Sequence, residues 1–344
     1  MPASPQAARR PALHGAAAAP DWRRWPRSQL SVRANPDHAS SRGLCSYEER
    51  GRTSPSSSAG SGSPSSSPGW CAAADHERRR VVTSSSSETG APPHRTRPET
   101  KPGRLTWLGH SCVAIQLDGL LVVTDPVLRG RIVHLRRKEP VDPAKLDGVD
   151  VVLVSHIHHD HLDLRSLDRL DLNAQVIVPM GAGGLLRRRG FGSVREVVAG
   201  DEVDVGAIRV RVTHAEHASG FRMGTGRTQP VGYVVAGTRT VYFAGDTDLF
   251  QGMDALGRID VALLPVAGWG PRLPAGHLDP VRAVEALALT EPRLAIPIHW
   301  GTYAPWRPPR GDDTPAKTFA ELAATIVPAV DVRVLRPGQS CPLE

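Results

Sequence analysis

Several features that usually announce a function are scarce or missing in this sequence. Four cysteines occur in 344 residues, at positions 45, 71, 112 and 341, and no two stand in CxxC spacing. That excludes a disulfide-framed domain and a zinc knuckle, and it fits a reducing compartment, so a cytoplasmic location is expected. No stretch approaches the ~18–20 apolar residues that span a bilayer, so no transmembrane segment is expected. Arg9 and Arg10 open a start that continues PALHGAAAAP, too short and too broken by proline and glycine for a secretion signal. No repeat of fixed period is visible. Lysine is nearly absent, with four against 38 arginines.

An even surplus of positive charge is missing too. The formal charge is +7, but residues 1–100 hold 14 arginines and 8 acids, leaving 28 basic and 27 acidic residues for 101–344. The body is therefore close to neutral, which argues against bulk recognition of nucleic-acid phosphate. Serine divides the same way, with 19 in the first hundred residues and 6 in the rest. Runs such as TSPSSSAGSGSPSSSPG carry no hydrophobic period and too little apolar surface to offset their ordering entropy. Residues 1–100 are thus expected to be a disordered Ser/Pro/Arg-rich leader, or an over-extended gene start, and 101–344 one folded domain. About 240 residues suffice for a full core.

From Arg104 short apolar runs read as strands: Leu105–Leu108, Cys112–Leu117, Leu120–Asp125, Val151–Ser155, Gln175–Val178, Ile208–Thr213, Gly232–Val235, Thr240–Ala244, Val261–Leu264, Leu294–Ile298 and Val332–Leu335. Asp279-Pro280 and Thr314-Pro315 read as helix starts, a capping side chain followed by a proline at the first helical position. Weaker helices are expected at Leu164–Leu170 and Gly184–Arg189. Many strands with few helices suggest a sheet sandwich flanked by helices, an α/β (α+β) architecture.

The segment VVLVSHIHHDH (151–161) carries the chemistry: a buried strand runs into four histidines and an aspartate. Histidines two apart on an extended backbone share a side, so His156 and His158 can hold one ion. The chain must then turn, letting Asp160 and His161 face a second. Imidazole and carboxylate suit zinc, or manganese and iron in the same geometry. Three further polar groups follow apolar strands: His214 and His217 in THAEHASG, Asp246 in VYFAGDTD, and His299 in IPIHWGTY. Ligands on strand ends are held rigidly. Asp246, with two oxygens, can bridge two ions.

HIHHDH matches the HxHxDH motif of the metallo-β-lactamase superfamily, and the later His, Asp and His keep that family's order. TWLGHSCVAIQLDGLLVVTDPVL, AGDTD, GHLDP and PIHWGTY resemble the branch containing N-acyl-phosphatidylethanolamine-hydrolysing phospholipase D and ascorbate-6-phosphate lactonase. The resemblance covers roughly 104–305 and implies an αββα sandwich binding two divalent ions. Residue by residue it gives His156, His158 and His217 to the first ion, Asp160, His161 and His299 to the second, and Asp246 to both. His217 is preferred because AEHASG resembles the family's ligand-bearing loop, and His214 remains the alternative. His159 fills a variable position. Asp160 and His277 are the candidate catalytic residues, with His277 in GHLDP between Asp246 and His299. Asp125 either orients a ligand imidazole or caps the turn before Pro126. His110 is expected to bond backbone in a tight turn, and Cys112 to be a small buried residue. Trp269 is expected in a loop over the site.

The expected activity is hydrolysis of a phosphodiester or a lactone/ester by a metal-bridging hydroxide, with a small-molecule or lipid-like substrate. Two alternatives are a nuclease of the same superfamily and a metal-binding non-enzyme. Against the nuclease, only 53 residues separate Asp246 from His299, leaving no room for the usual inserted domain. Against the non-enzyme, all seven ligands are present.

Overall fold

The computed structural model describes residues 103–218, 225, 227–268, 273–305 and 314–343. The leader and Trp269 lie outside them. The first half runs β1 (Arg104–Gly109), β2 (Cys112–Leu117), β3 (Leu120–Thr124), β4 (Arg131–Ile132), β5 (Leu135–Arg137), β6 (Val151–Leu153), α1 (Leu164–Leu167), β7 (Gln175–Pro179), α2 (Gly183–Arg187) and β8 (Val194–Val197). The second runs β9 (Glu202–Val205), β10 (Ile208–His214), β11 (Val231–Ala236), β12 (Thr240–Phe243), β13 (Val261–Pro265), α3 (Pro280–Thr290), β14 (Leu294–Ile298), β15 (Tyr303–Pro305), α4 (Thr314–Ile326), β16 (Asp331–Val332) and β17 (Ser340–Pro342).

Two seven-stranded sheets result, ordered β17-β1-β2-β3-β6-β7-β8 and β16-β14-β13-β12-β11-β10-β9, with a small third sheet β15-β5-β4. β3, β6, β7 and β8 are parallel, as are β12, β13, β14 and β16. Strands of that kind are covered on both faces and read as unbroken apolar runs, which is why Val151–Leu153, Val261–Pro265 and Leu294–Ile298 are buried throughout. The main core includes Trp107, Ile115, Tyr233, Phe243 and Leu263 from both sheets, with Ala283, Leu287 and Phe319 from α3 and α4. A second core holds Val152 and Val176 together with Leu167 and Leu186 of α1 and α2. Each of the larger aliphatic side chains contributes ~1.5–3 kcal/mol by leaving water. The αββα sandwich expected from the sequence is the fold observed.

α3 begins as its sequence requires: the Asp279 side chain accepts from Arg282 N–H at 2.9 Å, with Pro280 in the first turn. The last long strand is displaced, however. β16 covers Asp331–Val332, not Val332–Leu335, because Arg333 leaves the ladder after donating its N–H to Ala295.

In both sheets the parallel strands finish on one edge. β3 runs into Asp125, β6 into Ser155 and His156, β12 towards Asp246 and β14 into His299. Carboxyl ends of parallel strands are where open α/β sheets bind ligands.

Candidate metal centre

The floor of this edge is fixed by backbone ties between remote segments. His110 C=O accepts from His299 N–H at 3.1 Å and from Trp107 Nε1–H at 2.8 Å, while His110 N–H donates to Thr302 Oγ1 at 2.6 Å. Trp107 stacks on Trp300 with ring centroids 4.9 Å apart, a contact worth ~0.5–1.5 kcal/mol beyond the area it buries. His110 and His299 both hold positive φ, 56° and 62°, which a non-glycine residue adopts only at a cost of ~1–3 kcal/mol. The strain turns each side chain from its strand into the centre.

A hydrogen-bond chain assigns the histidine tautomers. Asp125 is fully buried and accepts from Ser155 N–H at 2.7 Å, Ser155 Oγ–H at 2.6 Å and His161 Nδ1–H at 2.6 Å. Having given its hydrogen to Asp125, the Ser155 hydroxyl accepts from His156 Nδ1–H at 3.0 Å. His217 Nδ1–H donates to Gly276 C=O at 2.8 Å and His299 Nδ1–H to Ala267 C=O at 2.6 Å. In their neutral form these four imidazoles therefore turn bare Nε2 lone pairs inward.

Those lone pairs converge in two sets. His156 Nε2 and His217 Nε2 lie 2.9 and 3.2 Å from His158 Nδ1. His161 Nε2 and His299 Nε2 face each other at 3.3 Å, and Asp160 Oδ2 is 3.8 Å from both. Between the sets sits Asp246 Oδ2, 3.1 Å from His161 Nε2 and from His299 Nε2, and 3.9 Å from His156 Nε2. With both rings neutral, two acceptor lone pairs 3.3 Å apart cannot bond one another. Asp246 Oδ1, moreover, is buried with no hydrogen-bond partner. Facing lone pairs and an orphaned carboxylate oxygen are what a cation would satisfy, so this donor set fits divalent metal.

The electrostatics agree. Burial holds His156 well below the ordinary histidine range and His217 down to about 4; His158 is lowered by the same cause. Burial also works against the charged forms of Asp160 and Asp246, but the surrounding histidines, His161 first, keep both carboxyls well below their usual range. His161 and His277 are the exceptions: burial alone would lower both, yet Asp246, Asp160 and Asp125 raise His161 well above normal and Asp246 raises His277. Without a cation, a proton is held where one would sit. Lowered His156, His158 and His217 beside ionised carboxylates make a buried pocket that calls for cations.

All seven residues of the expected ligand set thus come together. His217, not His214, joins the cluster; His214 is exposed, 3.3 Å from Glu216 and edge-on to Phe250. His159 is exposed at the cavity wall. His277 reaches in with Nε2 3.3 Å from Asp246 Oδ2, and its Nδ1–H donates to Pro274 C=O at 3.1 Å. Asp125 orients His161 rather than capping its turn. Cys112 is buried, and burial raises its thiol pKa to about 12. For His110 the tight-turn expectation covers the backbone but not the ring, whose Nε2 lies 3.1 Å from Asp160 Oδ2. The sequence signal available was the one that marked the candidate ligands, a polar residue just past an apolar strand.

The model of the beta-lactamase superfamily domain matches residues 121–300. The chain belongs to the metallo-β-lactamase superfamily. Within that superfamily it is 33% identical over 249 residues to a UPF0173 metal-dependent hydrolase of Methanopyrus kandleri, covering 69% of this chain and 98% of that protein. A UPF0173 metal-dependent hydrolase of Opitutus terrae is 35% identical over 245 residues, covering 69% and 98%. Igni18, a metallo hydrolase of Ignicoccus hospitalis, superposes with a TM-score of 0.56 at 25% identity, over 70% of this chain and 98% of its own. The superfamily domain is accordingly of the UPF0173 metal-dependent hydrolase kind, and no helix among the described residues is long and apolar enough to cross a membrane.

Proposed function

We propose that this chain is a dinuclear metal hydrolase acting on a phosphodiester or a lactone/ester bond of a small-molecule or lipid-like substrate. The observation that carries the reading is Asp246 Oδ2 standing between two converging donor sets, with Oδ1 free of any protein partner. His156, His158 and His217 would hold one ion, Asp160, His161 and His299 the other, and Asp246 both. Zinc suits these donors, and manganese or iron could take the same places. When bound, a metal pair activates water and polarises a phosphoryl or carbonyl oxygen.

The remaining steps fall to the chain itself. Asp125, Gly276 and Ala267 hold the ligand tautomers, so the imidazoles need no reorganisation. Asp160, at the inner wall of the cavity and hydrogen-bonded by His110, is placed to take a proton as well as to ligate. His277 lines the same cavity and is half-buried. Its Nε2 is placed to donate to a substrate oxygen or to the departing alkoxide. Likeness to the phospholipase D and lactonase branch, carried by AGDTD, GHLDP and PIHWGTY, supports this substrate range. A cytoplasmic setting is part of the proposal, in keeping with Cys112 and Cys341 as buried free thiols.

The test is metal analysis of the purified protein, paired with a panel of phosphodiester, phosphomonoester, ester and lactone substrates. About two equivalents of metal and turnover of at least one diester, ester or lactone are expected. Fewer than one equivalent after metal-supplemented growth would overturn the reading in favour of a non-enzyme.

A further inference from the structure

The cavity beside the metal centre has a volume of about 420 Å³, within the range of small-molecule sites. One wall consists of the ligands. The rest of the lining is mainly apolar: Ile132, Val133 and Leu135 of the β4–β5 hairpin, with His134 in its turn, and Pro274 and Ala275. Among the described residues that line it there is no lysine and no arginine.

Val133 is the unusual member. Arg131 pairs with Arg136 and Ile132 with Leu135, so Val133 and His134 form a two-residue turn. Val133 has φ +48°. The first position of such a turn, when it alone takes positive φ, is normally glycine, and a β-branched residue there is strained. The side chain is also 65% exposed, the most exposed large apolar residue described. Beneath it the hairpin is firmly seated. Ile132 and Leu135 pack on Val127 and Tyr303, β5 pairs with β15, and the buried Arg137 guanidinium donates to Val127 C=O, Leu108 C=O and Tyr303 OH. A rigid base thus presents a strained, unpacked valine at the rim of the cavity.

Neither strain nor exposure benefits the chain by itself; both become useful when apolar matter covers the side chain. We infer that Val133 is a specificity-determining residue, that it packs against an aliphatic chain on the substrate, and that the substrate class is an ester or lactone with such a chain. This rests on the hydrolase reading above and narrows it: the hairpin lining offers apolar contact area but, among the described residues, no lysine or arginine for a second anionic group.

The experiment uses the full-length, zinc-loaded protein and p-nitrophenyl acetate, butyrate and hexanoate, with bis-p-nitrophenyl phosphate as comparison. Burying one methylene is worth up to about fourfold, so kcat/KM is expected to rise twofold to fourfold per added methylene. Val133→Thr keeps shape and branching but adds a hydroxyl, and should flatten the series. Val133→Gly should flatten it too while leaving Tm unchanged or higher, because glycine relieves the turn; a merely structural residue would lower Tm instead. A chain-length slope that survives in both variants overturns the inference. So does turnover of the phosphate diester with none of the esters, which would leave the dinuclear reading intact. Failure to bind two metals overturns both.

Discussion

Asp125→Asn offers the sharpest probe of how the centre is held. The wild-type carboxylate only accepts, and three donors reach it at 2.6–2.7 Å. An asparagine keeps one oxygen. If that oxygen stays on Ser155 N–H, the new NH2 confronts His161 Nδ1–H and Ser155 Oγ–H. His161 must then move its hydrogen to Nε2, the atom 3.3 Å from His299 Nε2 and 3.1 Å from Asp246, which removes a lone pair from the second donor set. If the amide flips instead, the buried Ser155 N–H is left unmet, at ~1–3 kcal/mol. Partners that orient a ligand typically carry 10–100-fold in metal affinity. Competition titration of zinc against a chromophoric chelator should therefore show one of two sites weakened ~10–100-fold, with Tm lowered. Ser155→Ala is the counterpart: it leaves the Asp125–His161 bond and cuts the hydroxyl link to His156, so the loss should fall on the other site. Two sites of wild-type affinity and unchanged turnover in Asp125→Asn would refute the tautomer argument.

Asp246→Asn should remove most activity and lower metal content, since the two ions would lose the carboxylate between them; retention of both metals and full turnover, by elemental analysis and kinetics, would remove its bridging role. His277→Ala should lower kcat by ~10²–10⁴ on a substrate with a poor leaving group and far less on an activated nitrophenyl ester; equal losses on both would point to positioning. The Glu196 carboxylate accepts from Gly181 N–H, Gly183 N–H and Arg187, and although burial opposes the charge these bonds hold its pKa below normal. A lowered folded pKa gives stability that is present above the unfolded value of about 4.5 and lost as pH falls through the folded one. The Tm gap between wild type and Glu196→Gln should thus hold at pH 7 and close below pH 4, and because the pair with the exposed Arg187 is solvent-screened it should stay under ~1 kcal/mol. Deleting residues 1–95 should shift Tm by less than ~5 °C by calorimetry, because every donor of the metal centre lies beyond them.

The candidate ligands were readable because they follow strands whose sequence is apolar over several residues. Val151–Leu153 before His156 and Leu294–Ile298 before His299 mark where the chain emerges. The β4–β5 hairpin was not readable. Its strands are two and three residues long, alternate arginine with aliphatic, and exist because β15 and the Val127–Tyr303 cluster support them from far along the chain. Strands β8, β9, β15 and β17 share that dependence on partners. Arg137 looks like a surface residue in sequence, and only its carbonyl partners explain its burial. The His110 ring was missed for a related reason: its partner Asp160 is 50 residues away, and no local pattern encodes that meeting. Arg187 and Arg189, at the end of α2, pair with Glu196 and Asp168, partners that no local pattern in the sequence encodes.

The tautomer-locked donor sets also bear on how the protein is made. His158 meets His217 across 59 positions and His161 meets His299 across 138, so no short segment can gather either set alone. A zinc finger, by contrast, folds around its ion. Here both sheets must close before coordination geometry exists, and contacts this remote in sequence form slowly. Metal uptake would follow folding and act as its last quality check, and a chelator would strip a folded protein rather than unravel it.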